Sequence, residues 1–397
     1  MKKTLVALAA LASVSAFAQS TVTIDGVMDG NYTAATRYGQ SFALVSQSGA
    51  RTTSIKFTGA EDLGSGMKAN FRFEVQPSII GGNANALTAT PETAAAITAN
   101  ATAQTSGQAS AQSGLVGKGY SYVGVSGGFG EIQLGSINTA YLATFLNASG
   151  KTGTGIGSMW NLDGSIPDIG RVETAAAYFT PTIAGFSGRY LLGTGNDSQY
   201  GATTGLFLRR NTTNEISLAY AQGPLSVRFS NTQVKTGPNE ATATASAAAA
   251  SNVTTTYSAL SGSYTAGDLT LGAYSMTQKD NAGLDTGSVS RQNNKATMML
   301  YTTYQMGATR FLLNAGNRKT NSAYASTTNL AGLKTTFTGY GVEYDLSKRT
   351  YVYFRGSNMN ANDLVFSSNV ANGATLTAAT FTNKGYSLNA IGVSHAF

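Results

Sequence analysis

Few side chains in this sequence could do covalent or acid–base chemistry. Among 397 residues there is one histidine, His395, and no cysteine. Without thiolates there is no cysteine-ligated zinc or iron–sulfur site. A single imidazole could act as an acid or base only with a nucleophile beside it. Asp25 and Asp29 share one face of an alternating run, but a calcium site needs more oxygen ligands than two carboxylates bring. Gly153-x-Gly155-x-Gly157 has the spacing of part of a dinucleotide loop. No strand–helix unit surrounds it, so it reads as a flexible loop segment. The 26 Lys and Arg outnumber 19 Asp and Glu. They are scattered, which gives nucleic-acid binding no support. No catalytic residue, cofactor or metal is expected.

The elements that carry these residues are more telling. Met1-Lys2-Lys3, the apolar Leu5–Phe17 and Ala16-Phe17-Ala18 form a complete export signal. Residues 1–18 are therefore expected to be removed and 19–397 to form one domain. Losing Lys2 and Lys3 leaves 24 basic against 19 acidic residues, a net charge of +5 in place of +7. Charged residues make up only 11% of the chain, against about 25% in an average soluble domain. Yet 42% hydrophobic and 10% aromatic content exclude disorder. Beyond the signal, no apolar run is long enough for a membrane helix.

Period-two alternation runs through the chain instead. In 66–75, Ala69, Phe71, Phe73 and Val75 fall on one face, and Lys68, Asn70, Arg72 and Glu74 on the other. Tight turn signals recur at 61–66, 127–128, 180–185, 222–224, 266–268, 306–307 and 346–349. Longer polar segments lie near 35–50, 77–117, 138–170, 194–211, 234–252, 278–293, 318–333 and 359–384. Short and long connections alternate, so seven turns and eight loops imply sixteen strands with both ends on the short-turn side. That is an all-β, antiparallel transmembrane barrel, with short periplasmic turns and long external loops. Such a barrel leaves no backbone edge in lipid. The Ala- and Thr-rich stretches 82–113 and 239–256 read as exposed external loops.

Parity places Lys56, Lys68, Arg72, Glu74, Glu131, Arg171, Glu173, Arg189, Arg228, Arg310 and Arg355 on the polar, lumen-facing side. His395 shares parity with Ile391, Val393 and Phe397, which points it to the lipid interface and away from catalysis. Tyr351 and Tyr353 are candidate lumen aromatics.

Several short sequences in order carry a family resemblance. They are Gly59-Ala60-Glu61-Asp62-Leu63-Gly64, Tyr122 to Gly130, Leu134-Gly135, Tyr178-Phe179-Thr180-Pro181 with Gly185-Phe186, Tyr344 to Thr350, and Ile391-Gly392-Val393-Ser394-His395-Ala396-Phe397. Through them the chain resembles the general porins of β-proteobacteria, within the Gram-negative porin superfamily. The resemblance implies an outer-membrane homotrimer of water-filled barrels whose third loop folds inward. It implies lipid and lipopolysaccharide around the barrel and small ions and solutes passing through it. It further implies that Phe397 is read by the barrel-assembly machinery, and that Arg171 occupies a position usually basic in the family. The third loop, 138–170, would then form the constriction, with Lys151, Asp163 and Asp168 its only charges. The sequence also departs from the family: Ser54, Thr58, Ser136, Ser394 and Ala396 stand where basic residues are frequent, and Lys56 where glycine is. A weakly anion-selective diffusion channel is therefore expected. The alternatives are a substrate-specific channel of the same fold and an outer-membrane enzyme.

Overall fold

The computed structural model describes residues 21–37, 40–80, 119–161, 169–194, 211–236, 253–280, 294–320, 334–361 and 386–397. The expected export signal, the core of the 77–117 loop, Asp163 and Asp168 lie outside them. In order come β1 (Thr21–Arg37), β2 (Gln40–Gln47), β3 (Ser54–Gly64), β4 (Met67–Val75), β5 (Ser121–Gly127) and β6 (Gly130–Asn138). A helix, α1 (Ala140–Ser149), precedes β7 (Arg171–Phe179), β8 (Phe186–Gly193), β9 (Asn211–Gln222) and β10 (Leu225–Thr236). Then follow β11 (Val253–Ala266), β12 (Leu269–Asp280), β13 (Lys295–Met306), β14 (Thr309–Thr320), β15 (Lys334–Asp345), β16 (Thr350–Ala361) and β17 (Tyr386–Ala396).

The pairing is antiparallel throughout, and β17 returns to β1, which closes the sheet. Both β2 and β3 pair with β1: Gly30–Arg37 take β2, and Thr21–Val27 take β3. They are two parts of one barrel strand, so the seventeen segments make sixteen strands. In one of the seven tight turns, 346–349, Ser347 Oγ accepts the N–H of Arg349 and Thr350, and the other six carry the Gly, Pro or Asp residues that favour them. Gly223, Gly267 and Gly307 each take a positive φ near 57° there.

The segment near 35–50 differs from the loop expected of it. Residues 35–37 and 40–47 are ladder, so their backbone groups satisfy one another. The real interruption is at 48–53. Ser48 turns to φ 61°, and the buried Asp29 receives the freed backbone. Its carboxylate accepts the N–H of Gly49 at 2.8 Å and of Arg51 at 3.1 Å. Ala50 N–H lies 3.4 Å from one carboxylate oxygen and 3.3 Å from the other. The Tyr353 hydroxyl donates to the same carboxylate at 2.8 Å. Tyr353 is thus a buried strut rather than a lumen aromatic.

Alternation assigns the two faces. Large apolar side chains of one parity are exposed, among them Ile216, Leu300 and Ile391. A closed barrel can expose such a row only to lipid. The opposite parity holds Glu74, Gln133, Glu215, Asn314, Glu343 and Arg355, all buried inside. His395 is on the outer face, with Thr350 Oγ1 2.8 Å from its Nδ1. Phe397 joins the seam: its N–H donates to Gly26 O at 3.1 Å, and Gly26 N–H donates to Phe397 O at 3.2 Å. Its ring lies over Gly26, where a Cβ would collide with it.

This geometry predicts that Gly26→Val strains the seam by about 1–3 kcal/mol, the usual cost of overpacking. A lowered urea midpoint in detergent or lipid would show it. An unchanged midpoint would mean that the Phe397 ring and the Ser54 carbonyl, 2.6 Å from that Cβ, both give way at no cost.

Candidate functional site

The interior is organised by the third connection, between β6 and β7. Sequence spacing makes its first part helical. Thr139 caps α1 by accepting the Leu142 N–H at 3.1 Å. Tyr141, Phe145 and Ala148 then fall on one face, buried against the wall. They join an apolar cluster with Tyr257, Tyr274, Met276, Met299 and Tyr301 of β11–β13. The Phe145 ring meets Tyr274 and Tyr301 edge-on at 5.4 and 6.0 Å. This helix was not read from the sequence, although its cap, its spacing and Gly150 after it were all available signals.

Buried polar groups fix both ends of the segment. At the helix start, Glu215 of β9 accepts the N–H of Ala140 at 2.6 Å and of Tyr141 at 3.1 Å. A carboxylate there satisfies orphan donors and the positive end of the helix dipole. Thr232 donates to Glu215 at 2.8 Å, and Arg189 lies 3.5 Å away as its ion partner. Along the helix, Asn147 Nδ2 donates to Ser261 Oγ at 3.0 Å, and Ser226 Oγ donates to Asn147 Oδ1 at 2.6 Å. Beyond it, Arg355 of β16 donates to the carbonyls of Thr152 at 3.0 Å, Lys151 at 3.1 Å and Ile156 at 3.3 Å. Its other bonds go to Glu343, from Nε at 2.9 Å and from Nη2. Gly157 N–H donates to Ser357 Oγ at 2.9 Å, and Asn314 donates to Gly157 O. Ile156 N–H donates to Gly49 O at 2.6 Å, within the break held by Asp29.

The glycine run 153–157 is therefore a docked ribbon, not the flexible segment expected. A Cβ on Gly155 would come within 2.5 Å of Gly49 O. Gly272 and Gly339 of the wall likewise face the backbone of Ala148 and Gly157. The segment lies flat against the inner wall from β9 to β16. Among the described residues, nothing comparable covers β3–β5.

The lumen candidates fall into several groups. Lys56 lies 3.5 Å from Asp25. Lys68 stands opposite Asp62 near the 65–66 turn, exposed. Arg72 pairs with Glu74 at 2.5 Å and stacks over the Tyr120 ring at 5.0 Å. Glu131 accepts from Asn70 at 3.2 Å and Gln133 at 2.8 Å. Arg310 pairs with Glu343 and lies 3.4 Å from Asp345. Arg355 faces inward, but its charge is spent on Glu343 and the loop carbonyls. Arg228 faces inward between Ser226 and Ser230 and has no ion partner among the described residues. The same holds for Lys151, exposed just past α1.

Parity does not carry through to Arg171 and Glu173. The ladder shifts register between Gly135 and Ile137, so Ile137 pairs with Val172. Val172 then packs with the inner cluster of Ile137, Ala175, Ala177 and Leu191. Arg171 donates instead to Asn138 at 2.9 Å, and Glu173 is exposed. A bulge places two residues opposite one and swaps faces. Asp29, Glu215 and Glu343, which hold the segment, were missed as site residues. Their inward parity was visible, but their partners lie far off in sequence.

The anchoring predicts that Glu215→Gln loosens α1 by about 1–3 kcal/mol. Amide exchange at 140–149 should then speed up by about tenfold or more. Unchanged exchange would mean that the apolar cluster holds the helix unaided.

Comparison with known proteins gives a consistent picture. The sequence profile of Gram-negative porins matches residues 4–364. Outer membrane porin protein 32 of Delftia acidovorans is 33% identical over 245 residues, 59% of this chain. That match spans 61% of the relative's own length. The anion-selective porin from Comamonas acidovorans superposes with a TM-score of 0.67 at 21% identity, covering 96% of this chain and 100% of that one. OmpT of Vibrio cholerae, an outer membrane protein solved in a trimer form, gives a TM-score of 0.59 at 13% identity, covering 95% of this chain and 99% of that one. At these identities the structural likeness speaks for the fold alone.

Proposed function

The chain belongs to the Gram-negative porin family, proteins of the bacterial outer membrane, and on that premise we propose that it is a passive diffusion pore for small hydrophilic solutes and ions, weakly selective for anions. The observation that carries this reading is that, among the described residues, the third loop covers only part of the interior. A closed barrel holds its third loop flat against the β9–β16 wall, while β3–β5 keep an ionic and hydroxylic lining of Lys56, Arg72, Glu74 and Tyr122. Such a lining replaces hydration for a passing solute without binding it in one place.

Most of the lining is internally neutral. Lys56, Arg72, Arg189, Arg310 and Arg355 all have carboxylate partners. Arg228 and Lys151, near the loop, are cations without an ion partner among the described residues, while Glu131 on β6 and the buried Asp29 are carboxylates without one. Two cations in a narrow aqueous passage raise the local anion concentration modestly, hence weak selectivity. The dispersed pairs keep the rest of the wall wet without adding net field. The one imidazole of the sequence, His395, stands on the outer face beside the Thr350 hydroxyl, away from the interior carboxylates of the described residues. Homotrimer assembly, lipopolysaccharide at the outer rim and handling of Phe397 by the barrel-assembly machinery belong to the same reading.

The test is the reversal potential of the purified protein in a planar bilayer under a KCl gradient. A small potential of anion sign is expected, and a clear cation preference overturns the reading. Arg228→Gln with Lys151→Gln should bring it close to zero. The wild-type preference should grow on dilution, because the screening length lengthens from about 3 Å at 1 M to about 10 Å at 0.1 M.

A further inference from the structure

The loop face turned to the lumen is unusual for an aqueous passage. Tyr141, Thr144, Phe145 and Ala148 bury one side of α1 against the wall. On the opposite side are Leu142, Ala143 and Leu146, with Leu146 38% exposed. This face carries no acidic residue. It is an apolar ledge one helical turn long, fixed in place by Glu215 and Asn147.

The surroundings of the ledge are cationic. Lys151 follows the helix, exposed just past the chain reversal at Gly150 (φ 51°) and within the short 3-10 turn Gly150–Thr152. Just past the helix, Arg355 takes up the carbonyls of Lys151, Thr152 and Ile156, so it removes acceptors that would repel an anion. Arg228 lies under the helix, between Ser226, bonded to Asn147, and Ser230, bonded to Thr144. Neither cation has a carboxylate partner among the described residues.

Taking the pore reading as given, we infer that this eyelet favours amphipathic monocarboxylates. Their alkyl or ring portion lies on Leu142, Ala143 and Leu146, and their carboxylate is held by Lys151. Apolar contact releases water from both surfaces, while an inorganic anion or a polyhydroxylated acid gains only the charge interaction. The ledge would therefore rank organic anions by chemistry as well as by size.

The experiment compares two acids on one carbon skeleton, cyclohexanecarboxylate and quinate, as potassium salts in planar bilayers. Each permeability is normalised to the chloride current of the same pore. The wild type should favour cyclohexanecarboxylate by about fivefold, as expected for a few tens of Å² of apolar contact. Leu142→Ser with Leu146→Ser should cut that preference toward the ratio set by size alone. Lys151→Gln should lower the absolute currents of both acids and of chloride together and leave the ratio of the two acids intact. Heat-modifiable migration on gels checks that each variant is a folded barrel. A wild type that ranks the acids by size only, or a serine variant that keeps the preference, overturns the ledge and leaves the pore standing. A wild type with no KCl conductance overturns the pore reading itself, and this inference with it.

Discussion

Every backbone group at membrane depth must find its partner inside the protein, and the architecture follows from that requirement. β1 shows how strictly it is met. One edge pairs with β17, and the other is shared between β2 and β3. Where that second edge is interrupted, a buried carboxylate takes the place of a strand: Asp29 accepts the amides that the ladder has released. The break would be costly in a ladder without such a substitute. With it, Gly49 is free to receive the third loop.

The same economy governs the interior. A helix inside a barrel brings its own unpaired ends, and they need partners as much as any strand edge does. Glu215 answers the amino end of the helix, and Arg355 takes up carbonyls of the turn that follows it. Both are themselves balanced, by Arg189 and Glu343, so that neither of these two buried charges stands alone. Apolar packing of Phe145 and Tyr141 on the tyrosines and methionines of β11–β13 supplies area, while the polar contacts supply position. The loop thus behaves as a second, smaller core built inside the first.

Local pattern made the strands, the tight turns and the inward parity of most wall residues legible in the sequence. Alternation, Gly-Asp and Gly-Pro turns act within a few residues and leave their mark there. What depended on distance was not legible. The Asp29 break joins residues about twenty apart with Tyr353 from the far end of the chain. Arg355 looked like any lumen cation until Glu343 and the loop carbonyls stood around it. The bulge that displaces Arg171 changes parity by one residue, and no local residue type announces it. The helix at 140–149 was legible in principle, since a capping threonine and an i, i+4 aromatic pair precede a glycine.

Gly272 and Gly339 press bare backbone against the underside of the loop, at Ala148 and Gly157. A side chain of even one carbon at either position would act as a shim, lifting the loop off its seat and toward the opposite wall. The calibre of the opening is therefore set in part by hydrogen atoms that no solute meets. Narrowing it requires no new charge and no change to any residue along the path, only a methyl group on the hidden side.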